Sequence, residues 1–353
     1  MLAYRLPKMD LSTALHWSAP SEWDRVAVVD AHTGGEPFRV VIEGLPKIVG
    51  DDMASRRTYA MEHLDGLRRR LMWEPRGHAD MYGGWIGDPV THNSDLSVLF
   101  THNNGFSTMC GHGIIALVKV VLETGILPIG DGPERVVVID TPAGQVVATA
   151  SIRSGSVVSV RFRNVASFVY RRQEGVETGH LGEVMCDVAY GGAFYAFVDA
   201  EAAGIDPSDT GKLVAAGREI KVALSAASPP RYPERDDLSF LYGVIFTWAA
   251  RDPAVHSRQV CVFADGEVDR SPTGTGVSAR LALLVASGEV AIGEEIRVES
   301  LVGSVFTGRV VEATTVGDTP AVIPEIEGTA HLVGRAEFWF DPADPLGEGF
   351  LLR

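Results

Sequence analysis

The chain has 353 residues, 46% of them apolar and 22% charged, with 31 Lys and Arg against 46 Asp and Glu for a formal charge of −15. At roughly 150 residues per domain the length suggests two cored units, and an acidic balance with no basic patch argues against a nucleic-acid or anionic-membrane partner. No apolar run approaches the ~18 residues of a membrane span, and residues 1–23 lack the apolar stretch of a signal peptide, so they read as a poorly ordered leader.

In chain order, alternation and β-branched enrichment predict strands over 26–31 and 39–44, and an acidic start at Asp51 and Asp52 opens one helix through 55–72. A helix over 113–125 follows, then strands over 135–144, 156–165 and 194–200, a helix near 209–227, a strand over 258–266, a helix over 277–288 and a strand over 334–340. Strands dominate, and the regular strand–helix alternation of a doubly wound sheet is missing. The fold class is α+β.

An internal repeat organises the chain. CGHGIIALVKVVLETG from Cys110 aligns with TGTGVSARLALLVASG from Thr273, 163 positions later, with glycines at matching places and a glycine closing each segment. DAHTGGEPF from Asp30 aligns with DVAYGGAFY from Asp187, 157 positions later. Two matches in one order at nearly one offset predict a duplicated chain of similar halves, with domains over 24–184 and 185–334 and a final strand, 335–353, that can return to the first.

Both helix starts, Gly111 to Ala116 and Gly274 to Ala279, fit G-x-G-x-x-A. A dinucleotide site needs a buried strand running straight into that turn, and neither segment has one. The free N–H groups and positive dipole end of a helix start suit a carboxylate instead. They also predict a lowered pKa for a thiol placed there, which makes Cys110 a candidate base or nucleophile. Cys186 and Cys261 sit in apolar, strand-like settings and read as inert buried thiols. An odd set of three cysteines fits reduced thiols in a cytoplasmic protein. Thr273 holds the position related to Cys110 but cannot ionise. If the halves face each other, both helix starts converge on one small amino or imino acid, with Asp269 available to its ammonium. No zinc spacing, nucleophile elbow or phosphate loop is present, so the reading is cofactor-free and metal-free.

The segments MCGHG (109–113), DRSPTGTG (269–276), DAHTGGEP (30–37), EPRGHADMYG (74–83) and DTPAG (140–144) resemble the signature segments of the proline racemase family. The resemblance implies a diaminopimelate epimerase-like fold: two pseudo-symmetric domains, each a curved sheet around a central helix, with the active site in the cleft between them. It implies a homodimer and an imino-acid substrate. Carried over by position, it implies that Cys110 is the catalytic base and that Gly111, His112, Gly274 and Thr275 cradle the carboxylate. Asp269 would hold the ring nitrogen, and Tyr82 and Phe263 would surround the ring. The racemases of the family oppose two cysteines, whereas Thr273 stands at the second position here. That pairing resembles the trans-3-hydroxy-L-proline dehydratases of the family, so the expected reaction is loss of water rather than inversion. A hydroxyproline 2-epimerase and a non-catalytic imino-acid binder are the alternatives.

Overall fold

A computed structural model describes residues 10–233 and 235–352. The first half runs through β1 (Asp24–Thr33), β2 (Glu36–Glu43), the helices α2 (Met53–His63) and α3 (Asp65–Met72), β3 (Tyr82–Gly87), β4 (Leu96–His102) and β5 (Gly105–Ser107). The apolar helix α4 (Gly111–Glu123) follows, then β6 (Glu134–Thr141), β7 (Gly144–Arg153), β8 (Ser156–Arg163) and β9 (Phe168–Thr178). The second half repeats this with β10 (Gly182–Tyr190), β11 (Phe194–Asp199), α5 (Thr210–Ala227), β12 (Leu241–Trp248), β13 (Ser257–Phe263), β14 (Glu267–Val268), α6 (Gly274–Ser287), β15 (Glu295–Glu299), β16 (Val305–Val316), β17 (Thr319–Gly328) and β18 (Ala330–Phe340). Ahead of β1, a single turn α1 (Ser12–Leu15) precedes Trp17, whose ring lies 4.9 Å from that of Trp339. Residues 1–9 of the expected leader lie outside the described residues.

Strand pairing repeats step for step. β1 and β2 pair antiparallel, as β10 and β11 do; β2 and β3 pair parallel, as β11 and β12 do. The series continues with β3–β4 and β12–β13 antiparallel, β4–β6 and β13–β15 parallel, and β6–β7 and β15–β16 antiparallel. The duplicated sequence has therefore kept a duplicated topology. Two further pairs close it: β18 runs antiparallel to β1 across the whole strand, and β8 runs antiparallel to β17. Each half wraps its sheet around one helix, and both helices share a single apolar core that includes Ile114, Leu117 and Val121 of α4 with Val277, Leu281 and Leu284 of α6.

The helix expected over 55–72 is two helices broken at Leu64. α2 begins as expected on Asp52, whose carboxylate accepts the Ser55 N–H at 2.7 Å. The break turns α3 so that Arg68, 3% exposed, donates to the backbone oxygens of His102 and Asn103 beyond β4. A buried guanidinium needs such acceptors.

Candidate active site

The two helix starts meet head to head. A Cβ on Gly111 would lie 2.6 Å from Cα of Gly274, and one on Gly274 would lie 2.9 Å from Cα of Gly111. Only glycine permits this approach. The repeat at an offset of 163 thus marks a physical contact between halves. Hydrogen bonds hold it: Thr33 Oγ1 at the end of β1 donates to His112 O (2.9 Å), and Thr108 Oγ1 donates across the halves to Gly192 O (2.9 Å). Asn164 Nδ2 donates to Gly191 O (2.7 Å) and to Ser278 Oγ on α6 (2.9 Å).

Cys110 is the N-cap of α4, in extended conformation, and its Sγ accepts the Gly113 N–H at 3.2 Å. His112 Nδ1 lies 3.3 Å from the same sulfur. Thr273 is the N-cap of α6 with φ 63° and ψ 90°. A β-branched residue is rarely left-handed, and the strain is held by Thr273 N–H donating to Ser271 Oγ (3.1 Å) and Val277 N–H donating to Thr273 O (2.8 Å). Its hydroxyl is buried with no hydrogen-bond partner of good geometry among the described residues, although the Cys261 thiol lies beside it. The N–H groups of Gly111, His112, Gly274 and Thr275 donate to no group among the described residues. Four unused donors at two apposed helix starts can take an anion.

All nine residues singled out from sequence line one cavity: Cys110, Thr273, Gly111, His112, Asp269, Gly274, Thr275, Tyr82 and Phe263. Asp269 accepts the Ser271 N–H at 2.7 Å and points its other oxygen toward His112 Nδ1, 3.9 Å away. The Tyr82 hydroxyl bonds to those of Ser107 and Tyr242, the latter at 3.1 Å. Phe263 stacks on Tyr242 with centroids 5.4 Å apart.

Met109, Tyr195, Tyr242 and Cys261 also line the cavity, and the sequence reading did not place them there. Tyr195 hydrogen-bonds Thr275 Oγ1 at 2.7 Å. Two of these were legible through the repeat. Tyr195 is the eighth residue after Asp187, as Phe38 is after Asp30, and the Tyr-Gly pair at 242 answers the one at 82, 160 positions earlier. Cys261 is buried as expected, but against Thr273. Cys186 lies far from this chemistry in sequence and structure, donating to Glu174 O at 3.4 Å, with burial pushing its thiol up to about 12.

The lowered pKa expected for Cys110 is not found. Burial pushes the thiol well above its ordinary value, the Gly113 N–H opposes this, and Asp269 and Glu36 reinforce it. Desolvation of a 4% exposed sulfur outweighs the helix dipole. Burial likewise lowers His112, so its imidazole is neutral, and raises Tyr82, Tyr195 and Tyr242, so their hydroxyls remain donors. Free space among these side chains is about 20 Å³, room for about one water.

A family profile described as "Proline racemase" matches residues 28–351. The chain belongs to the proline racemase family. It is 46% identical over 330 residues to a 3-hydroxyproline 2-epimerase of Burkholderia multivorans, covering 93% of this chain and 98% of that one. It is equally similar, with the same coverage, to a trans-3-hydroxy-L-proline dehydratase of Azospirillum brasilense. Among solved structures, a hydroxyproline epimerase from Agrobacterium vitis with bound trans-4-OH-L-proline superposes with a TM-score of 0.89 at 33% identity, covering 94% of this chain and 96% of the other. Proline racemase relatives therefore carry both isomerase and lyase names, and the cavity has to decide between the two chemistries.

Proposed function

We propose that this protein is a cofactor-independent hydro-lyase that converts trans-3-hydroxy-L-proline to Δ1-pyrroline-2-carboxylate. One observation carries the choice: the second helix start presents Thr273 where a racemase needs a second ionisable thiol. A threonine hydroxyl does not exchange a proton with a carbanion-like intermediate at neutral pH, so inversion lacks its second acid. The dehydratase name of the Azospirillum brasilense relative supports the reading.

In this scheme the four free N–H groups at the helix starts take the substrate carboxylate and Asp269 takes the ring ammonium, while Tyr82 and Phe263 enclose the ring. A cation set beside Sγ lowers the thiol's pKa toward the working range. The Cys110 thiolate removes the α-proton, the electron pair forms the C2–C3 double bond, and the C3–O bond breaks. In the trans isomer the α-hydrogen and the hydroxyl share one ring face. Cys110 can therefore return its proton to the departing hydroxide, giving water and regenerating the thiolate. The enamine then tautomerises to the cyclic imine. His112, neutral and 3.3 Å from Sγ, orients the sulfur.

The test is product analysis with trans-3-hydroxy-L-proline, detecting the imine with o-aminobenzaldehyde, beside L-proline and trans-4-hydroxy-L-proline. Cys110→Ser loses about 10²–10⁴-fold or more, and Thr273→Ala retains dehydration. Equal loss in both variants would refute the one-residue scheme. The second reading is 2-epimerisation, favoured by Cys261 beside Thr273 and by the name of the Burkholderia multivorans relative; in deuterated water it yields inverted, deuterated hydroxyproline with its hydroxyl intact. The reading extends to a cytoplasmic location, supported by the unpaired thiols; to a homodimer, supported by the family resemblance; and to a division of the chain into halves over 24–184 and 185–334, supported by the repeated strand order.

A further inference from the structure

α6 carries an arginine where its counterpart carries a core leucine. The repeat places Arg280 opposite Leu117, which is wholly buried in α4. Arg280 Nε is buried with no partner, and the guanidinium forms no hydrogen bond or close ion pair among the described residues. Burial pulls its pKa below the usual arginine value, while Glu289 and Asp199 act from a distance in the opposite sense. Arg280 is half-buried, with Nε sealed off and unpaired; an orphaned buried donor is costly to a fold, and a leucine would serve packing better.

Arg280 faces a cavity of about 530 Å³, separate from the one at Cys110, between α6 and the strands β10 and β11. That is the size of a small-ligand site. Phe197 and Leu284 give it apolar wall, and the carboxylates of Glu183, Asp187, Asp199 and Glu289 line it together with a second guanidinium, Arg172. Three of the carboxylates have one oxygen engaged locally: Asp187 by Gln173 N–H (2.8 Å), Asp199 by Glu201 N–H (3.0 Å) and Glu289 by Ser287 Oγ (2.8 Å). The other oxygen of each has no hydrogen bond among the described residues.

We propose that this cavity binds a free α-amino acid, with its carboxylate on the Arg280 guanidinium, its ammonium on the acidic rim and an aliphatic side chain against Phe197 and Leu284. A guanidinium recognises a carboxylate through paired hydrogen bonds. A simple anion would meet four carboxylates beside the two guanidiniums, and a simple cation would leave Arg172 and Arg280 unanswered; a zwitterion answers both signs. The ligand would rest on the two elements that meet in the catalytic cleft, because β11 carries Tyr195 and α6 carries Thr275, joined by a 2.7 Å hydrogen bond.

The experiment is calorimetric titration of the full-length Cys110→Ala protein with L-valine, L-leucine and L-methionine, and with acetate and butylamine as half-ligands. At least one amino acid binds saturably while both half-ligands bind far more weakly. Excess trans-3-hydroxy-L-proline does not displace it, and Arg280→Leu and Arg280→Gln each weaken it by about tenfold or more with unchanged circular dichroism. The proposal is overturned if no amino acid binds at millimolar concentration, if acetate binds as tightly, if hydroxyproline competes, or if folded Arg280 variants bind as well. The half-ligand comparison on unaltered Arg280 stands even if a variant fails to fold.

Discussion

At the residue scale, Cys110 is a thiol on which two effects of opposite sign act, and burial wins. The unliganded site therefore holds a neutral thiol at pH 7. A base whose pKa is raised is in its active form only on the alkaline side, so kcat/KM rises with pH from neutrality past the free-cysteine value of about 8.5. A profile flat across that span would show that the thiol is already ionised. Glu36 offers a second titration. It is fully buried, and its carboxyl is pushed well up, by burial first and then by Asp269, against Arg270. The folded state thus keeps a proton that the unfolded chain gives up above the ordinary carboxylate value. The stability from this group is present at low pH and falls as pH rises toward the folded pKa. Glu36→Gln raises Tm more at pH 8 than at pH 4, as scanning calorimetry would show; an equal shift at both would remove the linkage.

At the element scale, the central helices were legible because their glycines and apolar stripes are periodic, and the structure adds what the glycines are for. Gly274→Ala places a methyl against the backbone of Gly111. The expected cost is about 1–3 kcal/mol together with loss of the carboxylate cradle, read as a raised KM and a lower denaturation midpoint; an unchanged KM would contradict the cradle. Strands such as β16 and β17 were not legible because they alternate buried residues with Arg309, Glu312 and Glu325 on a solvated face, which blurs any apolar run. The break at Leu64 goes with a tertiary contact, the buried Arg68 on the carbonyls of His102 and Asn103, which helical periodicity does not carry. Tyr195 and Tyr242 stand at repeat-related positions, opposite Phe38 and Tyr82, but a single aromatic inside an apolar strand reads equally as core packing.

At the scale of the whole molecule, the site is lined from both repeats, and its free space of about 20 Å³ is smaller than a hydroxyproline, so the proposed turnover requires opening and closing. Saturating hydroxyproline slows amide hydrogen exchange in 108–114 and 271–278, the segments that form the two helix starts, and leaves β7 and β16 unchanged. Protection spread evenly over the chain would instead report general stabilisation by ligand.

The apposition of Gly111 and Gly274 also bears on direction. Two identical helix ends would treat the two faces of a planar intermediate alike, and such a catalyst can only bring mirror forms to balance. Because the chain is one polypeptide, its ends can differ while the glycines between them still touch. Here the ends differ in side chain, a thiol against an alcohol, and in backbone, extended at Cys110 and left-handed at Thr273. In the proposed scheme that asymmetry turns a shuttle between mirror forms into an exit for water, within a fold that keeps its repeated strand order.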